Sequence, residues 1–197
     1  GKVLKMRHDG HHLIQMIGGR RVHPNWGLPG GVSRGINEEQ RREIEQLGRE
    51  AVEFALFSLK LFADVVLANS DYVKLITGDV YVHRTYNMGT VDANNCVNFY
   101  DGKIRVVGPD GTEHAKYDAR DYRDYVAERV EPWSYLKFPF FKDGGWPGGV
   151  YRVGPLGRLN AADKMATPLA QTEYEIYQQV CGGRVVKGTL DYHYARL

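Results

Sequence analysis

The sequence predicts an α+β fold that is mostly helical, with one long buried helix and a small antiparallel β meander. Apolar side chains recur at helical spacing after Asn37, whereas the stretch 79–116 changes to short β-prone runs between Gly-containing turns. Hydrophobic residues make up 43% and charged residues 25% of the 197 residues. This composition is typical of a globular protein with a core of its own.

Three helices frame the predicted fold. Residues 2–17 place apolar side chains on one helical face, and Gly18 and Gly19 supply a C-terminal cap. Asp118 is predicted to cap a helix that continues through Glu128. Residues 168–180 are predicted to form the last amphipathic helix.

The long helix is predicted to begin after Asn37. Asn37 and Gln40 have the spacing of a capping box, and the acidic pair 38–39 suits the first turn of a helix. Beyond Ala51 apolar residues occur on most sides of the helix, which is typical of a buried helix. We therefore expect its second half to lie in the core.

The β meander is predicted from three runs. These are VYVHRTY (80–86), CVNFY (96–100) and KIRVV (103–107), with turn signals at 101–102 and 108–111. The later stretch 131–149 is predicted to be packed irregular chain because prolines and glycines interrupt it.

Charge and composition exclude several classes of function. The formal net charge is +2 with no basic stripe, so no nucleic-acid partner is expected. The most apolar stretch, 51–68, contains charged side chains, so no membrane span is expected. Cys96 and Cys181 are far apart in sequence, which fits a reducing compartment and predicts a cytoplasmic protein.

Common catalytic patterns are absent from the sequence. His8 and His12 have the spacing of a helical metal-binding pair, but the acidic residue after His8 is Asp9 and not the Glu that the metalloprotease motif requires. The sequence also has no nucleophile elbow, and its Gly-rich loop is not followed by the Lys-Ser/Thr of a phosphate-binding loop.

Three segments carry a family resemblance. IGGRRVHPNWGLPGGVSRGIN (17–37), VEPWSYLKFPFFK (130–142) and YRVGPLGRLNAAD (151–163) resemble, in the same order, motifs of nickel-iron hydrogenase large subunits. Gly157 stands where the resembled motif usually has Ala. The resemblance implies that residues 1–197 are the central part of one large-subunit domain, truncated at both ends. The second segment is most similar to the cytoplasmic, bidirectional branch that uses NAD(P) or another soluble carrier.

The resemblance also implies cofactors that this chain cannot bind alone. The family holds a nickel-iron centre with diatomic ligands through two Cys-x-x-Cys pairs, and neither pair is present here. The parent protein is therefore expected to cleave dihydrogen reversibly, while the fragment contributes no catalytic residue and no metal ligand. One alternative is a metal-free structural relative of the respiratory-complex type, and another is an unrelated α+β binding module.

The His-Pro loop is implied to face a partner. By resemblance, His23 lies near an iron-sulfur cluster of the small subunit, and Arg20 and Arg21 pair with acidic groups across that interface. A loop-stabilising histidine and solvated arginines are the alternatives. The implied partners are a diaphorase-type NAD(P)-reducing module and the small subunit.

Two further sites follow from the resemblance. Glu128 and Lys137 are implied to hold water molecules around a buried magnesium ion. The alternative is that Glu128 is an ordinary exposed residue and that the Lys137 side chain packs along apolar surface with its charge in water. Arg158 is implied to form a buried ion pair that fixes the third motif.

Overall fold

The computed structural model describes residues 1–78 and 84–181. The chain divides into two compact units, Gly1–Ala68 and Asn69–Leu197. The α+β class is confirmed, with helices in both units and the meander in the second.

The first unit consists of two helices and a short hairpin. Helix α1 spans Lys2–Gly18, strands β1 and β2 span Gly27–Leu28 and Gly31–Val32, and helix α2 spans Glu38–Phe62. A π-helical segment, Ala63–Leu67, continues α2. The predicted capping box is confirmed, because the Asn37 side chain accepts from the Gln40 backbone and the Gln40 side chain accepts from the Asn37 backbone.

The predicted burial of α2 is wrong within this chain. None of the residues of α2 is buried, and large apolar side chains such as Val52, Leu56 and Leu61 are about half exposed. The physical reason is geometric: within the first unit α1 contacts one side of α2, and a single neighbouring helix cannot cover a helix that is apolar on most sides.

The second unit is built on a four-stranded sheet. Its strands are β3 (Tyr86–Val91), β4 (Lys103–Val107), β5 (Glu113–Tyr117) and β8 (Tyr151–Arg152), in the order β5-β4-β3-β8. Strands β3, β4 and β5 pair antiparallel, which confirms the meander, and β8 adds in parallel to β3.

Of the three predicted strands, one is wrong and one lies mostly outside the described residues. In the run predicted at 80–86, residues 80–83 lie outside the described residues, and strand β3 begins at the last residue of the run, Tyr86. The segment 96–100 forms no strand and contributes only isolated bridges. Its backbone is diverted by side chains, because Asp92 accepts from the Cys96 N–H and Asn98 accepts from the Tyr100 N–H.

The remaining helices and hairpin complete the second unit. They are α3 (Ser70–Thr77), a 3-10 turn (Ala119–Asp121), α4 (Tyr122–Tyr125), β6 (Val126–Arg129), β7 (Phe138–Phe141), a second 3-10 turn (Lys142–Gly144), α5 (Gly154–Ala161) and α6 (Pro168–Cys181). The last helix is confirmed. The helix predicted through Glu128 ends at Tyr125, because Val126–Arg129 pairs with β7 instead.

The core of the second unit lies on the sheet. Met88, Val106, Tyr117 and Phe141 form one buried cluster, and a second cluster contains Val91, Val97 and Ala162. Helix α5 packs on β3, where a Cβ added at Gly89 would lie 3.0 Å from the Cβ of Ala161. This close approach fixes the third sequence motif against the sheet.

Candidate functional site

The loop between α1 and α2 is folded by its own backbone. Gly19 ends α1 with a φ of 80°, and its N–H donates to the Gln15 carbonyl at 2.8 Å. The Trp26 indole Nε1 donates to the Arg34 carbonyl at 3.1 Å, across the small β1–β2 hairpin. The glycines and prolines of this stretch therefore build a defined loop, as the sequence predicts.

The candidate interface residues of this loop are exposed. His23 has a φ of 51°, a conformation that non-glycine residues adopt uncommonly. Arg20 and Arg21 also lie on the surface, and Arg21 Nε donates to Gln15 Oε1 at 2.7 Å. The three side chains are thus presented outward by the loop. Their interface roles stay predictions.

Glu128 and Lys137 are brought together by the β6–β7 hairpin. Lys137 Nζ lies 2.9 Å from Glu128 Oε2, and the two side chains are 58% and 54% exposed, the lysine first. Such exposed pairs contribute about 0–1 kcal/mol to stability. The magnesium role is a prediction that needs further ligands, because the described residues contain no group of three His, Cys, Asp or Glu side chains placed to hold a metal ion.

Arg158 lies on α5, at the side that faces the sheet. Its guanidinium carbon is 5.0 Å from the centroid of the Phe99 ring, a cation–π arrangement. Burial lowers the pKa of Arg158 from its ordinary value. Among residues 1–78 and 84–181, no carboxylate lies within ion-pair distance of this guanidinium, so the ion pair that the resemblance implies is not formed with a described residue.

A pocket of about 380 Å³ opens beside Arg158. Its walls are mainly apolar and come from β3, β4, β5, β6, β8 and α5, including Met88, Ile104, Tyr117, Val126, Tyr151 and Val153. Burial raises the pKa of Tyr117 to about 12 and also raises the pKa of Tyr151. The pocket therefore combines low polarity with one cationic group.

One polar network that was not predicted from the sequence lies between the sheet and the end of α5. Arg105 is 8% exposed, and it contacts Glu113 Oε2 at 2.5 Å, Asp163 Oδ1 at 3.1 Å and the Ala161 carbonyl at 3.0 Å. Asn95 Nδ2 donates to Asp163 Oδ2 at 2.8 Å. The signal for this network was present, because Arg105 interrupts the apolar run KIRVV and a buried charge requires partners.

Cys96 belongs to no group of three potential metal ligands among the described residues. Its Sγ lies 3.5 Å from the Met165 carbonyl oxygen, and its backbone N–H donates to Asp92. The sequence contains only one other cysteine. Iron-sulfur clusters are usually held by four cysteine thiolates, so the residues of this chain do not fit a complete cluster site.

The structure also bears on membrane association. In the described part of the chain, no helix has both the length and the apolar character needed to cross a bilayer.

Curated relatives match almost the whole chain. The chain is 42% identical over 98% of its length to an iron-sulfur subunit of the F420-non-reducing hydrogenase of Archaeoglobus profundus. It is 37% identical over 100% of its length to a subunit of the F420-non-reducing hydrogenase of Methanothermobacter marburgensis. It is 31% identical over 99% of its length to the beta subunit of the NAD-reducing hydrogenase HoxS of Cupriavidus necator. No family model matches the chain.

A solved structure has the same fold. The crystal structure of an NAD⁺-reducing NiFe-hydrogenase in the H2-reduced state superimposes with a TM-score of 0.82 at 29% identity. The alignment covers 99% of this chain and 43% of that chain. The chain also spans only 40–41% of the three curated relatives named above.

These comparisons correct the assignment made from the motifs. The identification of the chain as part of a nickel-iron large catalytic subunit is wrong. The relative with 42% identity is described as an iron-sulfur subunit instead. The metal-free respiratory-complex alternative is not supported either, because these relatives are hydrogenase subunits. Along nearly its whole length, the chain is therefore similar to subunits of F420-non-reducing and NAD-reducing hydrogenases, and it spans about two fifths of them.

Proposed function

We propose that this chain is a framework segment of a hydrogenase subunit that works in an iron-sulfur electron-transfer assembly. The observation that carries the proposal is the similarity to hydrogenase subunits over 98–100% of the chain at 31–42% identity. The TM-score of 0.82 to an NAD⁺-reducing hydrogenase chain supports the same placement. The parent protein would then be an oxidoreductase acting on dihydrogen.

The framework role follows from what the residues can and cannot bind. Two cysteines cannot supply the thiolates of a four-cysteine cluster, and Cys96 has no second thiol beside it among the described residues. The cluster ligands of the assembly would therefore lie outside these 197 residues. When bound in the assembly, iron-sulfur clusters would carry the electrons released from dihydrogen.

The residues of this chain would contribute position and shape. The network of Arg105, Asp163 and Asn95 joins the sheet to the end of α5, and the contact of Gly89 with Ala161 holds that helix close. A rigid scaffold of this kind keeps neighbouring groups at fixed distances, which electron transfer and catalysis both require.

The exposed loop is a proposed interface with another hydrogenase subunit. His23, Arg20 and Arg21 project from a backbone that is already fixed by hydrogen bonds. A preformed loop loses little conformational entropy on binding, so it suits recognition of a partner surface. The basic residues favour an acidic patch on that partner.

The electron acceptor is proposed from the relatives. The relatives from Archaeoglobus profundus and Methanothermobacter marburgensis are described as F420-non-reducing hydrogenases, and the relative from Cupriavidus necator is described as an NAD-reducing hydrogenase. We therefore propose a carrier other than F420, with NAD(P) delivered through a diaphorase-type module as the specific candidate. A cytoplasmic location would fit this acceptor.

The test uses the assembly in its natural host. The gene that encodes this sequence is tagged on the chromosome, the tagged protein is purified without oxygen, and dihydrogen-dependent reduction of benzyl viologen is measured. The proposal predicts activity that co-purifies with the tag and is absent from an untagged control strain. Replacing the dye with NAD⁺, NADP⁺ or F420 then identifies the carrier. A purified, intact assembly that does not oxidise dihydrogen would contradict the proposal.

A further inference from the structure

The pocket beside Arg158 has the size of a receptor for one or two side chains. Its volume is about 380 Å³, at the lower end of the range of about 300–1,000 Å³ for ligand pockets. Met88, Ile104, Tyr117, Val126 and Tyr151 give it apolar walls. Burial of apolar surface in such a pocket would stabilise whatever occupies it.

Arg158 gives the pocket its charge preference. The guanidinium is partly buried, it lies against the Phe99 ring, and no described carboxylate pairs with it. A partly buried cation without an anionic partner is costly, and arginine presents a planar set of donors that matches a carboxylate. An occupant that carries an acidic group would remove this cost.

The rim of the pocket extends the apolar surface. Phe99 is 72% exposed, Val153 is 63% exposed and Tyr122 is 48% exposed, and all three line the opening. A small carboxylate would fill the pocket and leave these side chains in water. A polypeptide segment covers both pocket and rim, because flanking apolar residues can pack on Phe99 and Val153.

The relatives show that more polypeptide exists in proteins of this kind. The chain corresponds to 43% of the hydrogenase chain of known structure and to 41% of the relative from Archaeoglobus profundus. More than half of each of those proteins is therefore chain that must pack somewhere. A half-exposed apolar pocket on this segment is a suitable place for it.

We propose that the Arg158 pocket binds an Asp or Glu side chain, flanked by apolar residues, from the part of the same subunit that lies outside these 197 residues. This inference rests on the proposed function in one respect, since it requires the longer subunit. Arg158 is a positioning residue in this account. It pairs with the incoming carboxylate and thereby fixes the segment against β3 and α5.

The experiment is carbodiimide coupling in the purified assembly, followed by mass spectrometry. The variant Arg158→Lys places an amine in the pocket, and a carbodiimide joins an amine to a carboxylate that is paired with it. The native pair of Lys137 and Glu128, at 2.9 Å, is the internal positive control for folding and for the reagent. In a matched control, Glu128→Gln must abolish the cross-link between Lys137 and residue 128.

A parallel measurement uses the unaltered protein. Phenylglyoxal modifies accessible guanidinium groups, and the exposed Arg7 in the first unit serves as the reference. The proposal predicts that Arg158 reacts at least about ten-fold more slowly than Arg7, because a charged partner and a packed segment cover it.

The outcomes separate this inference from the proposed function. A cross-link from position 158 to an acidic residue of the same subunit outside these 197 residues supports the inference, whether or not the assembly oxidises dihydrogen. A cross-link to an acidic residue inside the 197, or to another subunit, overturns it. So does the absence of a cross-link at 158 while the Lys137–Glu128 cross-link forms, and so does an Arg158 that reacts with phenylglyoxal as fast as the exposed reference arginine.

Discussion

Close packing at Gly157 explains a residue that the sequence alone left unaccounted for. A Cβ added there would lie 2.8 Å from both the Met88 and the Arg152 carbonyl oxygens. Both obstacles are backbone atoms, so no side-chain rotation can relieve the contact. The structure therefore gives a physical reason for Gly where the resembled motif usually has Ala.

We predict that Gly157→Ala lowers the free energy of unfolding of the second unit by about 1–3 kcal/mol, the usual cost of overpacking. Urea unfolding, followed by the fluorescence of the tryptophans in the second unit, measures this loss. Gly48→Ala, on α2 of the first unit, is the control, because nothing lies within 4 Å of a Cβ there and the substitution should leave the stability of the second unit unchanged. Unchanged stability in Gly157→Ala would contradict the packing at this residue.

Tyr117 illustrates how burial controls a titration. Its side chain is buried and its ring stacks on Tyr125 at 3.9 Å, and burial raises its pKa from 10.0 to about 12. The folded protein thus retains a proton that the unfolded chain releases above pH 10. Stability from this group is complete below pH 10 and is lost as the pH rises toward 12.

We predict that the free energy of unfolding falls between pH 10 and 12 and that Tyr117→Phe reduces the steepness of this fall. Urea unfolding at several pH values gives the slope for both proteins. The phenylalanine ring keeps the stacking on Tyr125 but does not titrate, so it is a conservative comparison. Equal slopes in the two proteins would show that Tyr117 does not have a raised pKa.

At the scale of elements, the sequence predicts structure that depends on neighbouring residues, but it does not predict pairing between distant segments. The Asn37 capping box and the Gly19 cap depend on neighbouring residues, so the sequence could predict both. The end of α4 could not be predicted in this way. Val126 leaves the helix because Phe141 pairs with it across the hairpin, and that contact depends on the tertiary fold.

At the candidate site, too, local features can be predicted from the sequence and contacts between distant residues cannot. The loop that carries His23 follows from its glycines and prolines, whereas the contact between Arg158 and Phe99 joins residues that are distant in sequence. Periodicity also predicted an apolar α2 correctly but could not supply the neighbours that would bury it. Burial depends on other elements, and in the first unit α1 covers only one side.

The network around Arg105 is the element-scale feature with the clearest energetic consequence. We predict that Arg105→Met lowers the free energy of unfolding of the second unit by about 2–3 kcal/mol, because it removes hydrogen bonds to Asp163, Glu113 and the Ala161 carbonyl. Thermal or urea unfolding measures the change. As a control, Lys103→Met removes an exposed pair with Asp118 and should change stability by at most about 1 kcal/mol. Equal effects of the two substitutions would refute the prediction.

At the scale of the whole molecule, the framework account explains why hydrogenase similarity extends over a chain with so few candidate ligands. The sheet, α5 and the polar network form a closed core in the second unit, while the apolar side of α2 and the Arg158 pocket remain uncovered. Such uncovered apolar surfaces are typical of segments that pack against further polypeptide. Redox chemistry is therefore expected of residues elsewhere in the assembly.

The most direct test is dihydrogen-dependent viologen reduction by the purified assembly, compared between the native protein and Cys96→Ala. We expect the native assembly to be active and the variant to retain its activity within about two-fold, because one partly buried thiol without a partner thiol among the described residues cannot hold a cluster. An inactive native assembly would contradict the hydrogenase function. Loss of activity and of iron in an otherwise intact Cys96→Ala assembly would contradict the framework role.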